Sequence, residues 1–306
     1  MNVPSRPADG VGGRRWRVLD APSNLGLSPP RPGTVPGCYR LAATLRGNGL
    51  VARVGAEDRG SVDPPPYRAD HRDDWGGRNG TPLVEYTSRL SDRVAAELAP
   101  STRLLVLGGD CSILLGCLLA LRRTGRFGLL FLDAHSDFRH PGNSPRVGWA
   151  AGEDLALATG RGDPRLTNLG SLRPYVRDED VRLFGVRPDD DCLEELRSIP
   201  IPYVRSDAVT GRNPSTAVAK LARSIDAACV GFWVHLDVDV VDPSEISAVD
   251  SPGGPGLTLA EVASVVGVLV RAPRFVGLDV TIFDPDLDPD GSQGRNLTDA
   301  LVTALG

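Results

Sequence analysis

The chain has no uninterrupted apolar run of about 18 residues, the length a membrane-crossing helix needs, so nothing in it signals an integral membrane protein. The opening stretch, MNVPSRPADGVGGRRWRVLDAP, lacks the apolar centre of a secretory signal, and the expected compartment is the cytoplasm. Cysteine is sparse. Cys38, Cys111, Cys117, Cys192 and Cys229 are odd in number and irregularly spaced, which excludes a disulfide framework and a zinc cage built on C-x-x-C pairs. Basic charge is outweighed, with 34 Lys and Arg against 39 Asp and Glu and a net charge of -5, so neither nucleic acid nor an anionic membrane is expected as a partner. Lysine is nearly absent beside abundant arginine, a bias of genome composition more than of function. What the chain does have is length and apolar content. With 306 residues, 41% of them hydrophobic, it can bury the core of one large α/β domain. Its 35 Gly and 26 Pro imply many loops.

Residues 1–15 read as a flexible leader and 16–306 as a single domain. RVLDAP (17–22) reads as a first strand, 39–48 as a helix, and the stretch 55–80, rich in Pro, Gly, Asp and Arg, as a long irregular loop. A regular alternation follows. Helix 82–98 precedes strand 103–109, helix 112–123 precedes strand 127–134, and helix 152–159 precedes strand 181–186. Helix 190–197 leads to strand 201–204, helix 214–227 to strand 231–240, helix 258–271 to strand 274–283, and helix 295–304 ends the chain. Apolar strands alternating with amphipathic helices predict a three-layer α/β/α sandwich with a mostly parallel central sheet, covered on both faces.

In such a sheet ligands bind beyond the C-terminal strand ends. Three polar motifs stand there: GGDCS (108–112), DAHSD (133–137) and DVDVVDP (237–243). If the strands run through them, Asp133, His135 and Asp137 share one face, and Asp237 and Asp239 share another. Four converging carboxylates repel unless cations lie between them, so the pattern points to a pair of divalent metals.

Taken together, the three motifs resemble those of the ureohydrolase family, the arginases, agmatinases and their relatives. There GGDHS, DAHxD and DxDxxDP occur in this order. The resemblance runs from about residue 17 to the end and takes in the loop NLGLSPPRPG and the segment GLDVTIFDP (277–285). It implies an arginase-like fold and a centre of two divalent ions, most often Mn2+. Asp133 and Asp237 would bridge the ions, Asp137 and Cys111 would complete one, and His135 and Asp239 the other. It also implies hydrolysis of a C–N bond in a linear guanidine or amidine by a metal-bridging hydroxide that Asp137 orients. The implied assembly is a homo-oligomer, a trimer or hexamer.

Three positions depart from the family pattern. Cys111 stands where a His ligand is usual, and a softer thiolate favours Zn2+, Fe2+ or Co2+ over Mn2+. Ala151 stands where a proton-shuttling His is usual, and His140 is the nearest replacement as a general acid. Ile282 stands where a Glu grips the guanidinium, with Asp284 or Asp286 as substitutes from the adjacent loop. These departures raise rival readings: a hydrolase of an N-hydroxyguanidine or formimino substrate, and a non-catalytic metal-binding relative. Of the other residues, His235 faces the same side as Asp237, as a support to the metal ligands or as a core histidine. Asp110, Asp242 and Asp279 are expected to fix backbone. Arg139 and Arg187 are candidates for a substrate carboxylate, Trp149 for a pocket wall, and 177–180 is a solvated turn.

Overall fold

Strands such as TRLLVL and FGLLFL carry no polar face, so they fold stably only where both faces are covered. The structure, a computed structural model, describes residues 14–74 and 76–306. It holds these strands in one eight-stranded sheet of β1 (Arg15–Asp20), β2 (Glu57–Ser61), β3 (Thr102–Leu107), β4 (Phe127–Leu132), β5 (Val181–Val186), β6 (Tyr203–Arg205), β7 (Gly231–Asp237) and β8 (Phe275–Thr281). Their spatial order is β2-β1-β3-β8-β7-β4-β5-β6, and every pairing is parallel.

The pleat divides the core in two. Leu104 and Val106 of β3, with Leu129 and Phe131 of β4, pack against Leu83, Leu90 and Val94 of helix Gly80–Glu97 and Ile113 and Leu118 of helix Ile113–Arg122. Leu105, Leu107, Leu130 and Leu132 face the other way, onto Val262, Val266 and Leu269 of helix Leu259–Val270 and Leu297 and Leu301 of helix Ser292–Leu305. Each fully buried Leu or Val contributes about 1.5–3 kcal/mol, which is why the helices dock. Helix Leu259–Val270 starts where it does because Thr258 and Glu261 cap its free amides reciprocally.

β3 and β4 follow each other in sequence, yet β8 and β7 lie between them. The C-terminal ends of these four central strands therefore stand side by side, and all the polar motifs lie there.

Four expectations change. Arg15 lies in β1, so the strand begins two residues earlier than read from sequence, and the rest of the leader falls largely outside the described residues. The loop 55–80 contains β2, an exposed edge strand (EDRGS) with no apolar residue to betray it. β4 ends at Leu132, so Asp133, His135 and Asp137 sit on the loop beyond it and do not share a strand face. β7 ends at Asp237, and Asp239 lies in the 3-10 turn Val238–Val240.

Candidate metal centre

Loops, not strand faces, gather the acidic residues. Leaving β4, Asp133 folds back so that its Oδ1 accepts the His135 amide at 2.6 Å, and Asp190 holds the next residue through the Ser136 amide (2.9 Å) and hydroxyl (2.8 Å). Asp137 takes a left-handed backbone, φ 44°, which turns its side chain toward the cleft. Leaving β7, Asp237 accepts the Asp239 amide at 2.7 Å, so the two carboxylates flank one tight turn. Asp239 in turn accepts the Ala134 amide at 3.3 Å, tying the two loops together. After β3, Asp110 fixes the turn by accepting from Ser23 (2.7 Å), Gly26 (3.2 Å) and Ser112 (2.9 Å), which sets Cys111 over the end of β7.

Five of the six residues, Cys111, His135, Asp137, Asp237 and Asp239, line one cleft, and Asp133 lies buried beside them. Cys111 Sγ lies 2.9 Å from Asp237 Oδ2 and 3.3 Å from Thr281 Oγ1. His135 Nδ1 lies 2.9 Å from Asp239 Oδ2 and 3.7 Å from Asp133 Oδ1. Asp133 belongs to two candidate donor groups, one with His135 and Asp239 and the other with His235 and Asp237, so it stands between them. Its Oδ2 is buried without a hydrogen-bond partner, and such an atom is costly unless a cation meets it. The donor set of carboxylates, imidazole and thiol fits divalent transition metals.

The electrostatics make the same demand. Loss of hydration, then the charge of Asp239, pushes the Asp133 carboxyl up to about 6. Burial, followed by neighbouring carboxylates, drives Asp137 and Asp237 well up. Burial also raises the Cys111 thiol well above its usual range, with Asp237 adding to it. Burial pulls His135 down, but Asp239 and Asp133 overcome it and raise the imidazole to about 12. Burial opposes the charge of Asp239 too, yet His135 and then Arg187 hold its carboxyl low.

A consequence for metal-stripped protein follows. Asp133 titrates above its unfolded value of about 3.9, so the stability it contributes while protonated is lost as pH rises from about 4 to about 6. His135 titrates above its unfolded value of about 6.5, so its contribution is intact below that pH and is lost as pH rises toward 12. Both slopes share a sign. Chelator-treated protein is expected to show a falling Tm between about pH 6 and 9, and added divalent metal to raise Tm most at the alkaline end. A Tm that rises with pH in that window would count against this arrangement of charges.

Around the floor, the cleft of about 190 Å³ is lined by Ser28, Arg139, Trp149, Ala151, Asp250 and Ile282. Arg78 covers the Trp149 ring at 4.2 Å. Arg139 stands at the mouth with its Nε donating to Asp191 at 3.0 Å. Arg187 turns inward instead, 3.9 Å from Asp239 and donating to the Ser251 carbonyl at 2.7 Å. His140 stands apart from the cleft lining: its Nε2 lies 3.1 Å from Glu195, and its Nδ1 accepts the Gly142 amide at 3.1 Å. Asp284 and Asp286 do not reach the cleft. Asp284 accepts the Gly37 and Asp286 amides, both at 2.9 Å, and Asp286 pairs with Arg40. The rim carboxylate is Asp250, which sequence reasoning missed because it lies outside every motif. Ile282, β-branched, is held at φ 78° with its amide donating to Gly109 at 2.7 Å, a strained conformation of the kind found where structure serves a site. The described residues include no helix long and apolar enough to cross a membrane.

The comparisons with known proteins agree with this layout. An arginase from Bacillus caldovelox is 27% identical over 293 residues, covering 94% of this chain and 95% of that protein. The crystal structure of arginase from Bacillus caldovelox superposes with a TM-score of 0.84 at 26% identity, over 96% of this chain and 98% of the other. The formimidoylglutamase structure from Bacillus subtilis superposes with a TM-score of 0.71 at 18% identity, over 100% of this chain and 93% of that one, a likeness of fold alone. The sequence pattern of the arginase family spans residues 18–305, nearly the whole chain, and the chain belongs to that family of C–N hydrolases.

Proposed function

We propose that this protein hydrolyses a C–N bond of a small linear guanidine or amidine at a centre of two divalent ions, Mn2+ or a more thiophilic metal. The observation that carries the reading is the meeting of Cys111, His135, Asp137, Asp237 and Asp239, from three separate loops, in one small cleft, with Asp133 buried between two of their donor groups. Bound there, the ions supply a water nucleophile active near neutral pH. The chain's own groups do the rest. Asp133 and Asp237 lie centrally, His135 and Asp239 form one flank, and Cys111 the other. Asp137, at the cleft floor, would accept and hold the proton of the attacking water. Asp250 at the rim offers a carboxylate to a cationic substrate, and Arg139 at the mouth offers a guanidinium to an anionic tail.

One observation favours a second substrate group. Among the described residues, His135 is the only imidazole lining the cleft, and an apolar Ile282 forms part of its wall. A leaving group that needs little protonation, as in an N-hydroxyguanidine or a formimino compound, suits that cleft better than a simple alkylguanidine does.

The test is a panel of guanidines, N-hydroxyguanidines and formimino compounds offered to metal-loaded protein, with urea, hydroxyurea, amine and formamide assayed. Turnover of one class is expected, and none by fully loaded protein would overturn the proposal. On the substrate found, Asp250→Asn is expected to raise KM roughly 10- to 100-fold with a smaller change in kcat, the loss of one charged contact. An unchanged KM would remove Asp250 from recognition.

A further inference from the structure

Beneath the cleft floor lies a second cluster of buried polar atoms that the family's ligand pattern does not include. His235 and Asp154 are fully buried, and both point toward Cys111. The His235 ring is fixed by two contacts. It stacks on Phe131 with centroids 4.6 Å apart, and its Nδ1 lies 2.5 Å from Asp279 Oδ2. Asp279 is itself anchored, because its Oδ1 accepts Trp233 Nε1 at 2.5 Å. With the Asp279 carboxylate accepting a hydrogen bond from Nδ1–H, the Nε2 lone pair would face the far side of the ring. That Nε2 is buried and has no hydrogen-bond partner. Facing it, both carboxylate oxygens of Asp154 are buried without a well-formed hydrogen bond.

The two groups are 4.0 Å apart, too far for a hydrogen bond. A lone pair opposite an unpartnered carboxylate, both sealed from water, is costly as it stands. The separation suits two ligands of one ion, whose bonds of about 2.0–2.3 Å hold donor atoms roughly 3–4 Å apart. Cys111 Sγ lies within 4.8 Å of both, and Asp133 and Asp237 lie within the same distance of His235. The Asp279–His235 pair is the carboxylate–histidine support that metal-ligating imidazoles commonly have.

We propose that the deeper of the two ions is held by Cys111 Sγ, His235 Nε2 and the Asp154 carboxylate, with Asp237 as the ligand nearest the outer ion. This inference rests on the reading of the cleft as a metal centre and changes its composition. His235, from β7, supplies the imidazole that Cys111 lacks, and Asp154 takes the place expected of Asp137, which belongs to none of the close donor groups among the described residues. A thiolate, an imidazole and two carboxylates make a four-coordinate site of the zinc class, whereas His135, Asp133 and Asp239 form a harder outer site.

The test loads chelator-stripped protein with Co2+ alone and reads metal per chain by elemental analysis and the absorption spectrum. Two Co2+ per chain are expected, with a thiolate-to-cobalt band in the near ultraviolet and the intense visible bands of tetrahedral cobalt. Asp154→Asn and His235→Asn are each expected to lose at least one ion together with the visible bands. The Asn amide at 235 keeps a donor toward Asp279 and removes the Nε2 ligand, so a circular-dichroism spectrum like the parent's shows that the loss is not unfolding. Asp137→Asn is expected to keep both ions and the spectrum. Both ions retained in Asp154→Asn and His235→Asn, but one lost in Asp137→Asn, would overturn the inference while leaving the metal centre in place. No cobalt in the parent would overturn the metal-centre reading itself.

Discussion

Asp133→Asn is expected to lose at least the outer of the two ions and yet, when stripped of metal, to unfold at a higher temperature than the parent. The two effects have one cause. Asp133 is the carboxylate common to two donor groups, and its Oδ2 has no protein partner. An uncharged amide there is a poor ligand for a divalent cation, and losing an ion from a two-ion centre removes several kcal/mol of transition-state stabilisation, a rate loss of at least about 10³-fold. Without metal, the ionised carboxylate is a burden, as its rise to about 6 shows. Removing its charge relieves on the order of 1 kcal/mol or more near pH 8. Elemental analysis and thermal unfolding with chelator at pH 8 check both halves. Retention of two ions would remove Asp133 from the shared position, and a lower metal-free Tm would show that its charge is well accommodated.

Gly109→Ala is expected to cost about 3 kcal/mol or more and to disable the site without touching a ligand. A Cβ built on Gly109 lies 1.7 Å from the Ser23 carbonyl oxygen and 2.7 Å from its carbon, both main-chain atoms that no rotamer change can move away. The same carbonyl accepts the Asp110 amide at 3.0 Å, and Gly109 accepts the Ile282 amide at 2.7 Å. The loops after β1, β3 and β8 therefore cross at this glycine, and forcing them apart displaces Cys111. Urea unfolding measures the loss, and metal content reports the displaced thiol. Gly47→Ala is the control. Its Cβ meets nothing within 4 Å at the end of helix Leu41–Gly47, so its effect on stability is expected to stay within about 1 kcal/mol. A Gly109→Ala protein as stable as this control would mean the crossing is looser than its distances indicate.

The fold was legible where residues are apolar without interruption. β3, β4, β7 and β8 stand out because strands buried on both faces have no alternation to confuse with a helix. β2 was not legible, because an edge strand of exposed polar residues gains its stability from pairing with β1 and leaves no mark in composition. At the site, motif spacing identified the carboxylates, but the strand-face argument that joined them does not describe the molecule. Asp133, His135, Asp137 and Asp239 all lie past their strand ends, and backbone hydrogen bonds gather them. Asp154 is the hardest case. It begins a short buried helix, Asp154–Ala158, in no motif, and its only local sign is a charge set among apolar residues. What makes it notable is His235, about 80 positions later in the chain, and only the sheet order brings the two together.

That sheet order also has a temporal side. A ribosome that has not yet reached Gly231 has already delivered Cys111, Asp133, His135, Asp137 and Asp154, but the two strands that separate β3 from β4 do not exist. The middle of the sheet is thus completed last, by β7 and then β8, when most of the chain has left the exit tunnel. Most of the donors precede the slot that β7 and β8 fill, and His235, Asp237 and Asp239 arrive only with β7 and the turn after it. On the proposed function, a chain cut short before β7 would lack His235, Asp237 and Asp239 and with them a complete set of ligands.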